Sequence, residues 1–197
     1  AIGTPPLAVT STTEVANLNA DRIGGTEVTD GAASGEILVG TGAATAAWGP
    51  METAGPTADG ARAYNGTAQA VASGVDTALS FDSELWDNGG LHSLVTNTSR
   101  LTAAKAGKYL LTGHATFEAN AAGHRVLSLR VNGTLMIAHA ETDADVTLSY
   151  HLSVATVYHL AVGDYVELVA YQNSGVSLNV NALGNYSPDF VAQWLGR

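Results

Sequence analysis

The sequence predicts an all-β protein, and three observations carry that expectation. Only 13% of the 197 residues are charged while Gly occurs 22 times, a composition suited to many short strands joined by tight turns. Over residues 108–117 the chain alternates. Tyr109, Leu111, Gly113, Ala115 and Phe117 fall on one side, Lys108, Thr112, His114 and Thr116 on the other. That period of two marks a half-buried strand. Turn signals recur at short intervals, and Asn132-Gly133 is the strongest hairpin signal in the chain.

Composition also excludes several classes. Cys is absent, so neither a disulfide framework nor a cysteine zinc site is possible. The net charge of -10 comes with no basic patch, which argues against nucleic-acid partners and against anionic membrane surfaces. No apolar run approaches the roughly 18 residues of a membrane-spanning helix. The opening AIGTPPLAVT has neither a charged leader nor a long apolar core, so no signal peptide is expected in it.

Taken in order, residues 1–60 stand apart. They carry 12 large apolar side chains, one in five, against 45 over residues 61–197, one in three. A segment so poor in core material is either mobile or ordered by other chains. The boundary is expected near Gly60, with residues 49–56 as linker.

Strands then follow quickly. Residues 62–71 and 75–81 are expected as the first two, and residues 81–99 as a long loop holding a short strand. Residues 101–117 contain the central strand. Residues 125–131 come next, with Leu127, Leu129 and Val131 inward, and residues 134–139 return through the Asn132-Gly133 hairpin. Residues 147–158 alternate, placing Leu148, Tyr150, Leu152, Val154 and Tyr158 on one face. Residues 162–164 turn the chain into YVELVAYQ, which is apolar on both faces except for Glu167. A sandwich strand should keep one wet face, so a second subunit is expected on its outer side. Residues 176–183 and 190–195 complete eight to ten strands, a number and spacing that suit a jelly roll.

Several phrases carry a resemblance. Gly107-Lys108-Tyr109, residues 129–133 (LRVNG), residues 160–166 (LAVGDYV) and residues 190–195 (FVAQWL) occur in the order and spacing of the complement globular head. That family shares its jelly roll with tumour necrosis factor. The match covers residues 61–197. It departs from the family where Leu111 and Gly113 replace aromatics, and where no collagen-like repeat precedes the head. Upstream, Leu18-Asn19-Ala20-Asp21 before Gly25 resembles modules of bacteriophage tail and head fibres. So do Gly35, Ile37, Leu38, Gly40 and Thr41 followed by Trp48-Gly49. These resemblances imply a trimeric jelly-roll head, residues 61–197, on an extended low-core stalk, residues 1–60.

Catalytic chemistry is sought without success. There is no Gly-x-Ser-x-Gly, no carboxylate pair in a recognisable setting and no β-helical repeat, so neither an enzyme nor a bound cofactor is expected. All six His residues lie after residue 90. His114 and His151 sit on strands facing away from the core. On a three-fold axis one such imidazole per chain would suffice for Zn²⁺ or Ni²⁺, and the alternative is a solvated or hydrogen-bonded strand histidine. Glu141, Asp143 and Asp145 are either Ca²⁺ ligands or a plain acidic loop. Trp86 in a Gly-rich loop, with Asp87, Asn88 and His92, is the candidate binding surface, and capping of the sandwich end is the alternative. Tyr109, Tyr165, Glu167, Val169 and Tyr171 are the candidate trimer contacts, with Arg125 or Arg130 as the partner of Glu167, and a core-edge charge reaching solvent as the equal alternative for Glu167.

The function expected is a homotrimeric virion appendage: head fibre, capsid decoration or tail fibre. Residues 1–60 would meet capsid or tail proteins, and the knob a host-surface glycan or protein. A secreted bacterial binding or matrix protein is the second reading and a glycan-active enzyme the third.

Overall fold

The computed structural model describes residues 59–144 and 148–197, together with the backbone of four short strands nearer the N-terminus. The chain divides into two units, Ala1–Ala54 and Gly55–Arg197. In the first, β1 (Arg22–Ile23) pairs antiparallel with β2 (Thr26–Glu27), and β3 (Glu36–Gly40) with β4 (Ala46–Pro50). The remainder of the expected stalk, residues 18–21 included, lies outside the described residues.

Among the described residues the second unit contributes twelve strands. They are β5 (Gly60–Tyr64), β6 (Gln69–Val71), β7 (Thr77–Ala78), β8 (Ser83–Asp87), β9 (Arg100–Thr102) and β10 (Gly107–Phe117). β11 (His124–Val131), β12 (Leu135–Asp143), β13 (Tyr150–Leu160), β14 (Tyr165–Gln172), β15 (Leu178–Val180) and β16 (Asp189–Gly196) follow. Every pairing is antiparallel. The first sheet runs β6-β15-β10-β16-β5-β8, with β13 on the other edge of β10. The second runs β12-β11-β14, with β7 and β9 both against the far edge of β14.

The predicted alternation of β10 holds: Tyr109, Leu111, Ala115 and Phe117 are all buried. They meet Leu127 and Leu129 of β11 and Val166, Leu168 and Ala170 of β14 in one core. Gly113 marks a close approach of the two sheets, because a Cβ there would collide with the Leu168 side chain.

Some expected strands differ. Residues 62–71 form two strands rather than one. Asn65 accepts a hydrogen bond from Thr67 N–H (2.7 Å) and donates to Ser80 C=O (2.7 Å), making a turn between them. Only Thr77–Ala78 pairs within the expected second strand, whereas β12 runs four residues past the expected end, held by β11.

Asn132 and Gly133 both have positive φ, 50° and 73°, as a two-residue hairpin of this twist requires. The Asn132 side chain also reaches the next turn, its Nδ2 donating to Asp164 Oδ1 (2.9 Å) while its Oδ1 accepts from Tyr165 N–H (2.9 Å). Asp164 Oδ2 accepts from Ala161 N–H (2.8 Å). The Asn132 bond first, and then the Ala161 bond, hold the Asp164 carboxyl below its ordinary value of 3.8. Its stabilisation is therefore complete above that value and lost as pH falls through the lower folded one. Asp164→Ala should cost about 1 kcal/mol at neutral pH, since the group is half-exposed and partly screened by solvent. The difference from the parent in urea melts should shrink in strong acid as the charge-assisted part of these bonds is lost, and a gap of unchanged size there would contradict this origin.

Candidate functional site

The outer face of the first sheet brings together residues that the sequence keeps far apart. On β10, Lys108, Leu110, Thr112 and His114 point outward. Opposite them on β13 stand His159, Val157, Ala155 and Ser153 in register, and on β16 Gln193 lies opposite Leu110, Val191 opposite Thr112 and Asp189 opposite His114. Between the Lys108–His159 end and the His114–Asp189 end the β13, β10 and β16 positions of this face carry no charged side chain, and Arg62 of β5 stands beside them opposite Val191. Leu110, Val157 and Leu195 on it are 37%, 52% and 52% exposed.

At the polar end, His114 Nδ1 lies 2.6 Å from Asp189 Oδ1, and Arg62 donates to Asp189 Oδ2 at 3.0 Å. The Asp189 side chain is 1% exposed, so its charge is held by these two groups. His151 Nδ1 lies 2.7 Å from Thr116 Oγ1, and the two imidazoles stack with centroids 6.1 Å apart. Asp189 and Arg62 were not legible as site residues, since 75 and 52 positions separate them from His114 and only strand pairing joins them. The apolar outer face did have a signal: Leu110-Leu111 and Val157-Tyr158 are apolar on both sides of their strands.

Three of the five expected trimer contacts, Tyr109, Glu167 and Val169, are buried within the single chain. Tyr109 is a core residue, 1% exposed, whose hydroxyl donates to Lys105 C=O (2.9 Å). Val169 is 1% and Glu167 5% exposed within the single chain. Arg130 binds Glu167 Oε2 through Nε (3.1 Å) and Nη2 (3.0 Å), and Arg100 Nε lies 3.5 Å from Oε1. The outer side of β14 is thus largely covered by its own chain, so burial on both faces does not require a second subunit. Tyr165 and Tyr171 stay half-buried, Tyr165 beneath Arg100 (3.9 Å) and Tyr171 stacked on His124 (5.5 Å). Arg125 is not the partner of Glu167. It is fully buried on the other face of β11 and donates to Asn120, Ala122 and His124 carbonyls. Burial lowers its pKa below the ordinary value.

The loop candidates divide. The Asp87 carboxylate accepts from the N–H groups of Gly89, Leu91 and His92 and so shapes the loop. The His92 side chain is 0% exposed, between Glu84 (2.8 Å) and the Thr98 carbonyl (3.1 Å). The polar atoms of both are thus engaged within the loop, Asp87 half-buried and His92 on the wall of a surface pocket with Ser93, Asn97 and Arg100. Trp86 is half-buried over Gly60, and Asn88 is exposed. Of the acidic trio, Glu141 and Asp143 line a surface pocket with His124 and Thr142, and Asp145 lies outside the described residues. Among the described residues no group of three or more His, Cys, Asp or Glu is placed to hold a metal.

No family model matches the chain, and no curated protein matches it in sequence. Solved structures do match in shape. The globular domain of zebrafish complement 1qA aligns with a TM-score of 0.51 at 14% identity, covering 71% of this chain and 98% of that one. The Eiger TNF of S. frugiperda aligns at 0.56 and 11% identity, covering 71% and 94%. The fold is a complement and tumour necrosis factor type jelly roll. Murine APRIL fits the same description, at 0.51 and 13% identity over 69% and 98%. The resemblance read from residues 61–197 is borne out in its fold, and two antiparallel sheets account for it.

Proposed function

We propose that this chain is a homotrimeric, non-enzymatic appendage protein of a virus particle, of the head-fibre, capsid-decoration or tail-fibre kind. Residues 61–197 form the outward knob, and residues 1–60 join it to capsid or tail proteins. The loop around Trp86 and Asn88 is the surface offered to a host glycan or protein. Three copies raise avidity for a repetitive surface without tight single sites.

The observation that carries assembly is the uncharged middle of the outer face of β13, β10 and β16, with Leu110 and Val157 exposed in register and Leu195 exposed on β16. Contiguous apolar surface of this kind marks association sites. It moves the expected contact from the outer side of β14 to the opposite sheet. The bacteriophage-like phrases at residues 18–25 and 35–49 support the virion assignment.

Native mass tests the assembly. The parent should run at three times the 20.1 kDa chain mass. Leu110→Asp combined with Val157→Asp should yield folded single copies, because burying a carboxylate at a subunit contact costs several kcal/mol. A parent that is monomeric at micromolar concentration overturns the reading. Antibody labelling of purified particles tests the rest: density on capsid or tail is expected, and an unlabelled particle counts against a virion role.

A further inference from the structure

We propose that the surface pocket between the loop of residues 88–99 and β9 binds the carboxylate of an acidic sugar, with Arg100 as the anchor. The pocket measures about 180 Å³, and Gly90, His92, Thr96, Asn97, Arg100 and Thr102 are on its wall. Sites for drug-sized ligands run to about 300–1,000 Å³, so this one takes a single ring of a larger ligand. It lies within one chain. It therefore rests on the glycan-facing reading of the knob, and on neither the trimer nor the virion role.

Charge singles this pocket out. Arg130 grips Glu167 Oε2 with Nε (3.1 Å) and Nη2 (3.0 Å), while Arg100 approaches Oε1 only through Nε, at 3.5 Å. One acid between two guanidinium groups leaves a positive charge over. Neither terminal nitrogen of Arg100 has a partner among the described residues. The group is also held in place, its central carbon 3.9 Å from the centroid of the Tyr165 ring. A stacked planar fork with its outer nitrogens unspent suits a carboxylate bound by two hydrogen bonds. No Asp or Glu lines the pocket. Asp87 is spent on the N–H groups of Gly89, Leu91 and His92, and Glu84 faces His92 Nδ1. In a chain of net charge -10, an arginine walled without acids is set apart from the surface around it.

The remaining wall decides what carries the carboxylate. The Asn97 amide and the Thr102 hydroxyl line the pocket, and neither side chain has a partner among the described residues. Together they offer donors and acceptors that match ring hydroxyls, whereas an acidic side chain of a protein partner would leave them unanswered. The wall is also preformed. Ser93 Oγ accepts from Val95 N–H (3.3 Å) and Thr96 N–H (3.2 Å), and Asn97 turns the chain at a φ of 52°. The His92 ring braces the loop from beneath, between Glu84 and the Thr98 carbonyl. A wall already in place lowers the ordering cost of binding.

Titration of the full chain with sodium D-glucuronate, followed by amide NMR shifts, tests the site. D-Glucose and sodium acetate are the controls. Saturable shifts confined to residues 90–102 are expected, with each control at least about 10-fold weaker. Arg100→Gln should weaken binding at least about 10-fold, and Arg100→Lys should lose binding too, because it keeps the charge without the fork. Asn97→Gly, which retains the positive φ, and Thr102→Val should each cost about 3- to 10-fold. Lys108→Gln, at an exposed cation on the other sheet, should leave binding unchanged. If Arg100→Gln fails to fold, Asn97→Gly and Thr102→Val decide. No saturable shift, glucose binding as tightly as glucuronate, unchanged binding in Arg100→Gln, or an equal loss in Lys108→Gln would each overturn the site. Acetate matching glucuronate would overturn the sugar assignment. Shifts centred on Trp86 instead would overturn this pocket while leaving the glycan-facing reading of the knob intact.

Discussion

Glu167→Ala should lower stability by about 3 kcal/mol, near the lower end for breaking a buried ion pair because Arg100 is one-third exposed. For a unit of this size that is a fall of about 10 °C in Tm, readable by calorimetry. The reason is positional. Glu167 lies on β14 directly opposite Arg130 of β11 on one side and Arg100 of β9 on the other. It is the one acid between two guanidinium groups, and Arg130 grips it with two nitrogens. Removing it leaves two like charges facing each other across a strand. Arg130→Ala should cost less, since one charge pair survives. The two substitutions together should fall short of their sum by more than about 1 kcal/mol, as members of one network do. A loss below about 0.5 kcal/mol for Glu167→Ala would mean that the network is decorative.

Gly113→Val on the central strand should cost about 2–3 kcal/mol. Valine is a better strand former than glycine, so propensity alone predicts a gain. Packing reverses the sign, because the added carbons would occupy space already filled by Leu168, which is itself fully buried. Combining Gly113→Val with Leu168→Ala should recover part of the loss by opening room on the facing strand. The single and double variants compared by urea melts separate the two effects. A neutral or stabilising single variant would show that the sheets stand further apart at this point.

How far the sequence could be read depended on the distance over which each feature is decided. β10, β11 and β14 were legible nearly to the residue, since their alternation and turn signals are local. Residues 62–71 were read as one strand although Asn65-Gly66 is itself a turn signal, and the side chain of Asn65 breaks the run. β12 was read short because Glu141, Thr142 and Asp143 look like loop, yet they continue to pair with β11. The candidate histidines on β10 and β13 were legible as outward-facing. Their buried partners were not, and neither was the internal use of Asp87 and His92.

The largest misreading concerned β14. Its two-sided apolar character was taken as the mark of a neighbouring chain, whereas the flanking strands of the same chain bury both Glu167 and Val169. The apolar surface left exposed in one copy lies instead on the other sheet, at Leu110, Val157 and Leu195.

The sequence by itself determined the all-β class, the jelly-roll likeness of residues 61–197 and which side of each long strand faces inward. A strand's period of two is a property of neighbouring residues, and no folded partner is needed to see it. Only the tertiary structure decided which outward residues meet. Cross-strand pairing joins positions as distant as Arg62 and Asp189, and whether a polar or apolar side chain is covered depends on that pairing.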